Sequence, residues 1–256
     1  MNPKKDSLRI LLSNDDGIHA PGLKALEKIA HSLSDDVWVV APATEQSGAG
    51  HSLTLNRPLR LHKLSNKRFS VDGTPTDCVL MAIEELMDEK KPDLILSGIN
   101  NGSNVGDDVT YSGTVAAAME GTSFGIPSIA LSQEIKSGHP AKWQTALDHA
   151  PAIIQKLMET GWPKNVLINL NFPDVITQSV MGIEVVGQGF RPPYKSIIKS
   201  VDPRGNHYYW LGPIPERMDL GEPSDLTALR DHKIAITPLH LDLTHSKTLH
   251  RLQDVF

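Results

Sequence analysis

The chain has one cysteine, Cys78, in 256 residues. A single thiol excludes an intrachain disulfide and a zinc–cysteine cluster. Positive charge is also sparse: the formal net charge is -5 and no basic run exceeds a few residues. A duplex nucleic-acid binder needs a positive footprint, and the charge balance argues against that class. A small phosphorylated substrate stays open, because a metal ion can supply positive charge locally. No apolar run approaches the ~18 residues of a membrane-spanning helix. Met1-Asn2-Pro3-Lys4-Lys5-Asp6 lacks the apolar stretch of a secretory signal. The expectation is a soluble cytoplasmic protein that uses no membrane.

Several catalytic signatures are missing as well. There is no GxGxxG for a nicotinamide cofactor and no GxxxxGK[ST] for a P-loop. There is no GxSxG nucleophile elbow. None of the 11 histidines falls in an HExxH pair. His19 and His51 sit in polar segments, and His240, His245 and His250 lie near the carboxyl terminus. Each of these reads singly as a structural or surface residue.

What is present is an alternation of strands and helices. Hydrophobic residues at 39% allow a sizeable core, and the length suits one large domain or one domain with an appendage. Residues 8–12 form an apolar run that reads as a strand. A helix follows from Pro21, with Leu23, Leu26, Ala30 and Leu33 on one face. Residues 37–40 predict a second strand and residues 44–55 a polar loop over the strand ends. Residues 68–72 predict another strand. Thr74-Pro75-Thr76-Asp77 reads as a capping box that opens a helix. Strands are expected at 92–96, 126–131 and 166–170. Helices are expected from Ser112 to Gly121 and along the stripe Trp143, Leu147, Ala150, Ile154 and Leu157. Strands separated by helices of ~10–15 residues indicate βαβ units and a mostly parallel α/β sheet with helices on both faces. From about Pro173 the pattern changes to strands at 183–186, 207–211 and 233–237 without long helices between them. The expected organisation is a core over residues 1–172 and a β-rich region over 173–256, which together can count as one domain.

Ser13-Asn14-Asp15-Asp16-Gly17 follows the first strand. Adjacent carboxylates repel each other, and an opposite charge nearby relieves that repulsion; a hard divalent cation is one source. Ligands of open α/β sheets also bind beyond the carboxyl ends of the strands. The pair is therefore either a metal site or a turn in which one aspartate caps a helix and the other is solvated. Asn100, in Ser97-Gly98-Ile99-Asn100-Asn101-Gly102, offers an amide oxygen to a hard cation or serves a Gly/Asn-rich turn. Ser47 offers a hydroxyl or is an ordinary loop serine. Tyr111-Ser112-Gly113-Thr114 starts a helix. Its free N–H groups and two hydroxyls form an anion site, or Ser112 simply caps.

These blocks, taken in order, resemble one family. Residues 11–22, Leu-Leu-Ser-Asn-Asp-Asp-Gly-Ile-His-Ala-Pro-Gly, resemble the opening signature of the SurE family of survival proteins, which are metal-dependent 5'-nucleotidases. The likeness continues through Ser47-Gly48-Ala49, Gly73-Thr74-Pro75-Thr76-Asp77, Ser97-Gly98-Ile99-Asn100, Gly106-Asp107-Asp108-Val109 and residues 111–121. It returns at Asp202-Pro203-Arg204-Gly205 and Ile236-Thr237-Pro238-Leu239-His240. The resemblance implies a Rossmann-like core and a protruding carboxyl-terminal segment that exchanges between subunits of a homodimer or homotetramer. It implies one divalent cation per subunit, Mg²⁺ or Mn²⁺, held by Asp15, Asp16, Ser47 and Asn100. Departures are Gln46 where many relatives carry arginine, and Asn101-Gly102-Ser103-Asn104 where many carry Ala-Gly-Pro-Asn.

The implied reaction is hydrolysis of a nucleoside 5'-monophosphate to nucleoside and phosphate by metal-activated water. Asp15, Asp16 and Asn100 would be the catalytic set, with the phosphate held by Ser112, Gly113 and Thr114. One rival is an aspartyl-phosphate route with Asp15 as nucleophile; it expects Asp-x-Asp, and Gly17 stands at the second position. The other is a non-catalytic nucleotide-binding or stress-signalling module, which has no need of two carboxylates beside a phosphate.

Overall fold

A computed structural model describes residues 8–136, 138–190, 197–211 and 223–256. The chain begins with β1 (Arg9–Ser13), α1 (Pro21–Leu33), β2 (Asp36–Pro42), β3 (Leu61–Ser65), β4 (Arg68–Val71) and α2 (Pro75–Met81). It continues with β5 (Leu94–Asn101), α3 (Gly113–Ser123), β6 (Ser128–Gln133), α4 (Trp143–Thr160) and β7 (Val166–Phe172). The remainder holds β8 (Ile183–Val185), β9 (Ile197–Val201), β10 (His207–Leu211), α5 (Asp225–Arg230), β11 (Ile234–His240) and α6 (Ser246–Gln253). No helix among the described residues is long and apolar enough to cross a membrane.

Nine strands form one sheet in the order β3-β4-β2-β1-β5-β6-β7-β11-β8. The six from β4 to β7 run parallel. β3 is antiparallel to β4, and β11 is antiparallel to β7. The expected mostly parallel sheet is the observed one. Strands β8 and β11, from the part of the chain beyond Pro173, extend this main sheet, while β9 and β10 pair in a separate hairpin. Small differences at element ends have local causes. β6 starts two residues later than expected because Ile126 still bonds back to Gly121 at the end of α3. α4 runs through Pro151 and stops at Gly161, whose φ is 68°. The short strand β3 and the helices α5 and α6 carry patterns too brief to be read ahead of the structure.

Alternation along β1 explains the two helical layers. Ile10 and Leu12 face the core built with Leu23, Leu26 and Ile29 of α1 and with Ile153 and Ile154 of α4. Leu11 faces the other way, onto Val79 of α2, Ile83 just beyond it and Ala117 of α3. Each of these large side chains, buried from water, contributes about 1.5–3 kcal/mol. β6 and β7 are buried along their whole length, as central strands covered on both faces must be. The capping box predicted at α2 is present: Thr74 accepts from Asp77 N–H at 3.1 Å, and Asp77 accepts from Thr74 N–H at 2.8 Å.

From β1 the chain winds to β2 and β4 on one side, then crosses back to β5 on the other side of β1. That reversal leaves a crevice beyond the carboxyl ends of β1 and β5, where open α/β sheets bind ligands.

Candidate active site at the carboxyl ends of the strands

Asp15 and Asp16 follow β1, and Asn100 lies in β5, the strand beside it; Ser13 pairs in register with Ser97. The crevice therefore opens between the segments that carry these residues. A register shift against β6 falls between Ser97 and Asn100. Such a bulge re-aims the side chains that follow. Gly98 permits it: its φ is +133°, and a Cβ there would stand 2.3 Å from the Leu131 carbonyl oxygen. Asn101 N–H then donates to Asp16 Oδ2 at 3.2 Å, joining the β5 end to the aspartate pair. Asn100 Nδ2 donates to the Gly102 carbonyl at 2.9 Å, which fixes how its amide is turned.

The loop after β2 packs on the same crevice. Gln46 N–H donates to the Asp15 carbonyl at 2.8 Å, and Gly50 N–H donates to the Tyr111 carbonyl at 3.1 Å. His51 Nε2 meets Glu120 Oε2 of α3 at 2.9 Å, which ties the loop to that helix. Ser47 is exposed on this loop, and its hydroxyl donates to Glu45 Oε1 at 2.8 Å.

The amino end of α3 completes the site. Ser112 caps it, accepting from Val115 N–H at 3.1 Å. The Thr114 hydroxyl donates to Asp15 Oδ1. The nearby backbone amides of Gly113 and Thr114 also favour the ionised Asp15 carboxyl. A Cβ on Gly113 would stand 2.7 Å from Asp15 Cβ and 3.0 Å from Asp15 Oδ2, so only glycine lets the helix start this close. The helix end that the sequence marks as an anion site thus already bonds an anion of the protein itself. No local pattern could have shown this, because Asp15 and Thr114 are 99 residues apart.

The electrostatics follow from this packing. Burial pushes the Asp15 carboxyl above its ordinary range, and the bonds from Thr114 and neighbouring amides recover part of that. Burial, and then the charge of Asp15, lift Asp16 to about 6; the Asn101 amide pulls the other way and Glu45 adds a small push. Among the described residues, no lysine, arginine or histidine pairs with either carboxylate. Asn14 Oδ1 is buried next to them without a hydrogen-bond partner among the described residues. No group of three or more His, Cys, Asp and Glu side chains is placed for a metal among those residues. What is present is two carboxylates with neutral amide and hydroxyl oxygens nearby. An all-oxygen set of low charge fits a hard cation such as Mg²⁺ or Mn²⁺, and the uncompensated pair supplies the charge to attract one.

Fold and crevice together define an α/β protein of the doubly wound type, with acidic residues at its topological switch point and a helix amino terminus against them. Comparison with known proteins gives the family. A family model described as survival protein SurE matches residues 10–194, and the chain belongs to that family. It is 57% identical over 251 residues to a 5'-nucleotidase SurE of Paramagnetospirillum magneticum, covering 98% of this chain and 96% of that protein. It is 58% identical over 255 residues to a 5'-nucleotidase SurE of Parvibaculum lavamentivorans, covering 97% and 91%. The crystal structure of the SurE protein from Aquifex aeolicus superposes with a TM-score of 0.83 at 39% identity, over 96% of this chain and 99% of that one.

Proposed function

We propose that this protein is a divalent-cation-dependent 5'-nucleotidase that hydrolyses nucleoside 5'-monophosphates to nucleoside and phosphate. The observation that carries the reading is the Asp15–Asp16 pair, uncompensated by any described cationic side chain and set against the start of α3. The names of the relatives, each a 5'-nucleotidase SurE, support the substrate class.

Asp15, Asp16 and Asn100 would hold one Mg²⁺ or Mn²⁺, with Ser47 joining once its hydroxyl leaves Glu45. When bound, the cation neutralises phosphoryl oxygens and lowers the pKa of a water molecule. Thr114 holds Asp15 in one orientation throughout. Asp16, the more exposed of the two, takes the proton of the attacking water. Ser112, Gly113 and Thr114 receive the phosphate at the amino end of α3, where N–H groups and the helix dipole favour negative charge. The Thr114 hydroxyl already donates to Asp15, so phosphate binds there well only when the charge of the aspartate pair is offset. Exposed apolar side chains on β9 and β10, among them Ile197, Trp210 and Leu211, support a homodimer or homotetramer.

The test is phosphate release from a panel of 5'- and 3'-nucleoside monophosphates, using protein stripped by chelator and then restored with Mg²⁺ or Mn²⁺. Release that returns with metal is the expected result. Nucleotide affinity that persists in chelator, with no release under any metal, would replace the enzyme by a binding module. A trapped phosphoenzyme would instead make Asp15 a nucleophile.

A further inference from the structure

Buried polar side chains that the proposed chemistry does not use gather beneath the segment between β5 and α3. Asn171 of β7 grips the main chain of Asn104 from both sides. Its Oδ1 accepts from Asn104 N–H at 2.9 Å, and its Nδ2 donates to the Asn104 carbonyl at 3.0 Å. Asn169 Nδ2 gives that carbonyl a second bond at 2.8 Å. Asn104 sends its own amide to Ser132 Oγ on β6, at 2.8 Å. Two residues on, Gly106 N–H donates to Asp225 Oδ2 at 2.9 Å. The other oxygen of Asp225 accepts from Gly189 N–H and from Leu226 N–H, each at 2.8 Å. Asn169, Asn171, Ser132 and Asp225 are all 0% exposed.

Taking this many polar groups out of water is unfavourable unless each is well bonded, and an apolar layer would fill the same space more simply. Here the bonds converge on one short stretch of backbone. That stretch runs through the turn Gly106–Thr110 and straight into the start of α3, where Gly113 packs on Asp15 and the Thr114 hydroxyl donates to it. Reacting groups tolerate little misplacement: a shift of about 1 Å can lower a rate about 100-fold.

We propose that Asn171 and Asp225 are positioning residues, which clamp the main chain at Asn104 and Gly106 and thereby set where α3 begins relative to Asp15 and Asp16. The proposal rests on the phosphatase reading above for what the positioning serves. Because Asp225 lies on α5 and also holds Gly189, the clamp fastens the carboxyl-terminal part of the chain to the catalytic crevice.

Asn171→Leu removes both bonds that Asn171 makes to Asn104 while keeping the same branching and heavy-atom count. Asp225→Asn keeps its volume but places a donor against Gly106 N–H or loses the bonds on its other side. Hydrogen exchange of residues 104–114, Mn²⁺ affinity and kcat are measured on the full chain. The expected result for each variant is exchange at least tenfold faster over 104–114, with β1 and β5 unchanged. Mn²⁺ affinity should stay within threefold of wild type, and kcat should fall at least tenfold. If Asn171→Leu does not fold, Asp225→Asn carries the same test. A folded variant with wild-type exchange, or with kcat within twofold of wild type, overturns the proposal. Equal losses of Mn²⁺ affinity and kcat overturn it too, since they would report general loosening. Wild-type protein that releases no phosphate with any metal refutes the phosphatase reading alone, and the clamp then stands or falls on exchange over 104–114.

Discussion

At the amino ends of β1 and β2, Asp36 lies between two cations. Arg9 Nε donates to it at 2.8 Å, Lys67 Nζ at 2.9 Å and Trp38 Nε1 at 3.0 Å. Burial alone would raise its pKa, but the bonds from Lys67, Arg9 and Trp38 together hold it at about 2. Just past the carboxyl end of β1, Asp15 and Asp16 have no described cationic partner, and both carboxyls are pushed upward. Two neighbouring strands, β1 and β2, thus have at one end a carboxylate supplied with its counter-charge and at the other a pair without one. Such a pair is relieved by taking up a proton or by a cation from outside, and the proposed cation site makes use of the second.

The contrast breaks most visibly at Asp15. Asp15→Asn keeps the shape of the side chain and the Thr114 contact but halves the charge offered to a cation. Its expected phosphate release in saturating Mn²⁺ is more than about 100-fold below wild type, beyond the range typical of groups that only orient a ligand. Its melting temperature in chelator should be no lower than that of wild type. A fully active Asp15→Asn protein would remove the metal assignment.

Cation binding sharpens the contrast from the other side. A ligand that binds only the folded state at about 100 times its Kd adds about 2.7 kcal/mol. For a chain of this size that raises Tm by roughly 5–10 °C. Calorimetry of stripped protein with and without Mn²⁺ should show this shift in wild type and not in Asp15→Asn. An equal shift in both proteins would mean that the cation binds elsewhere.

The amino end should behave in the opposite way. The fall in the pKa of Asp36 from 3.8 to about 2 corresponds to about 1 kcal/mol of stability at neutral pH once solvent screening is allowed for. Asp36→Asn should therefore lower Tm by roughly 2–4 °C while leaving kcat within twofold of wild type. Loss of activity in a folded Asp36→Asn protein would show that the two ends are coupled.

Sequence legibility differs between these regions for physical reasons. The acidic pair after β1, the capping box at Thr74 and the alternation of strands and helices are local patterns that stand where their residue types place them, while β5 runs on past its expected end at 96 to include Asn100. Strand partners are not local. A period-2 pattern at 183–186 or 233–237 says that a strand forms but not which edge it joins, so the extension of the main sheet by β11 and β8 was not readable. The contact of Asp15 with Thr114 and the grip of Asn171 on Asn104 span 99 and 67 residues, and no spacing rule reaches that far. The candidate site was therefore legible as a set of residue types, while the pairing of Asp15 with the start of α3 was not.

An effect of similar size tests the upward shift of Asp16 directly. In the unfolded chain its carboxyl titrates near the ordinary 3.8, and in the folded protein near 6. Between those values the folded state binds more protons than the unfolded state, so stability falls as pH rises from about 4 to about 6 and stays low above that. Asp36 has the opposite sign: its contribution is full above about 4 and is lost as pH falls toward 2. Asp16→Asn deletes only the first titration. In chelator, the Tm of Asp16→Asn minus that of wild type should be near zero at pH 4 and should grow to a few degrees by pH 7. That corresponds to about 1–2 kcal/mol once solvent screening is allowed for. Mn²⁺ at pH 7 should close or reverse the gap, because a cation relieves the repulsion that the substitution removes. A difference that is flat from pH 4 to pH 7 would mean that Asp16 is not held in its ionised form at a cost, and the electrostatic distinction between the two ends of these strands would rest on Asp15 alone.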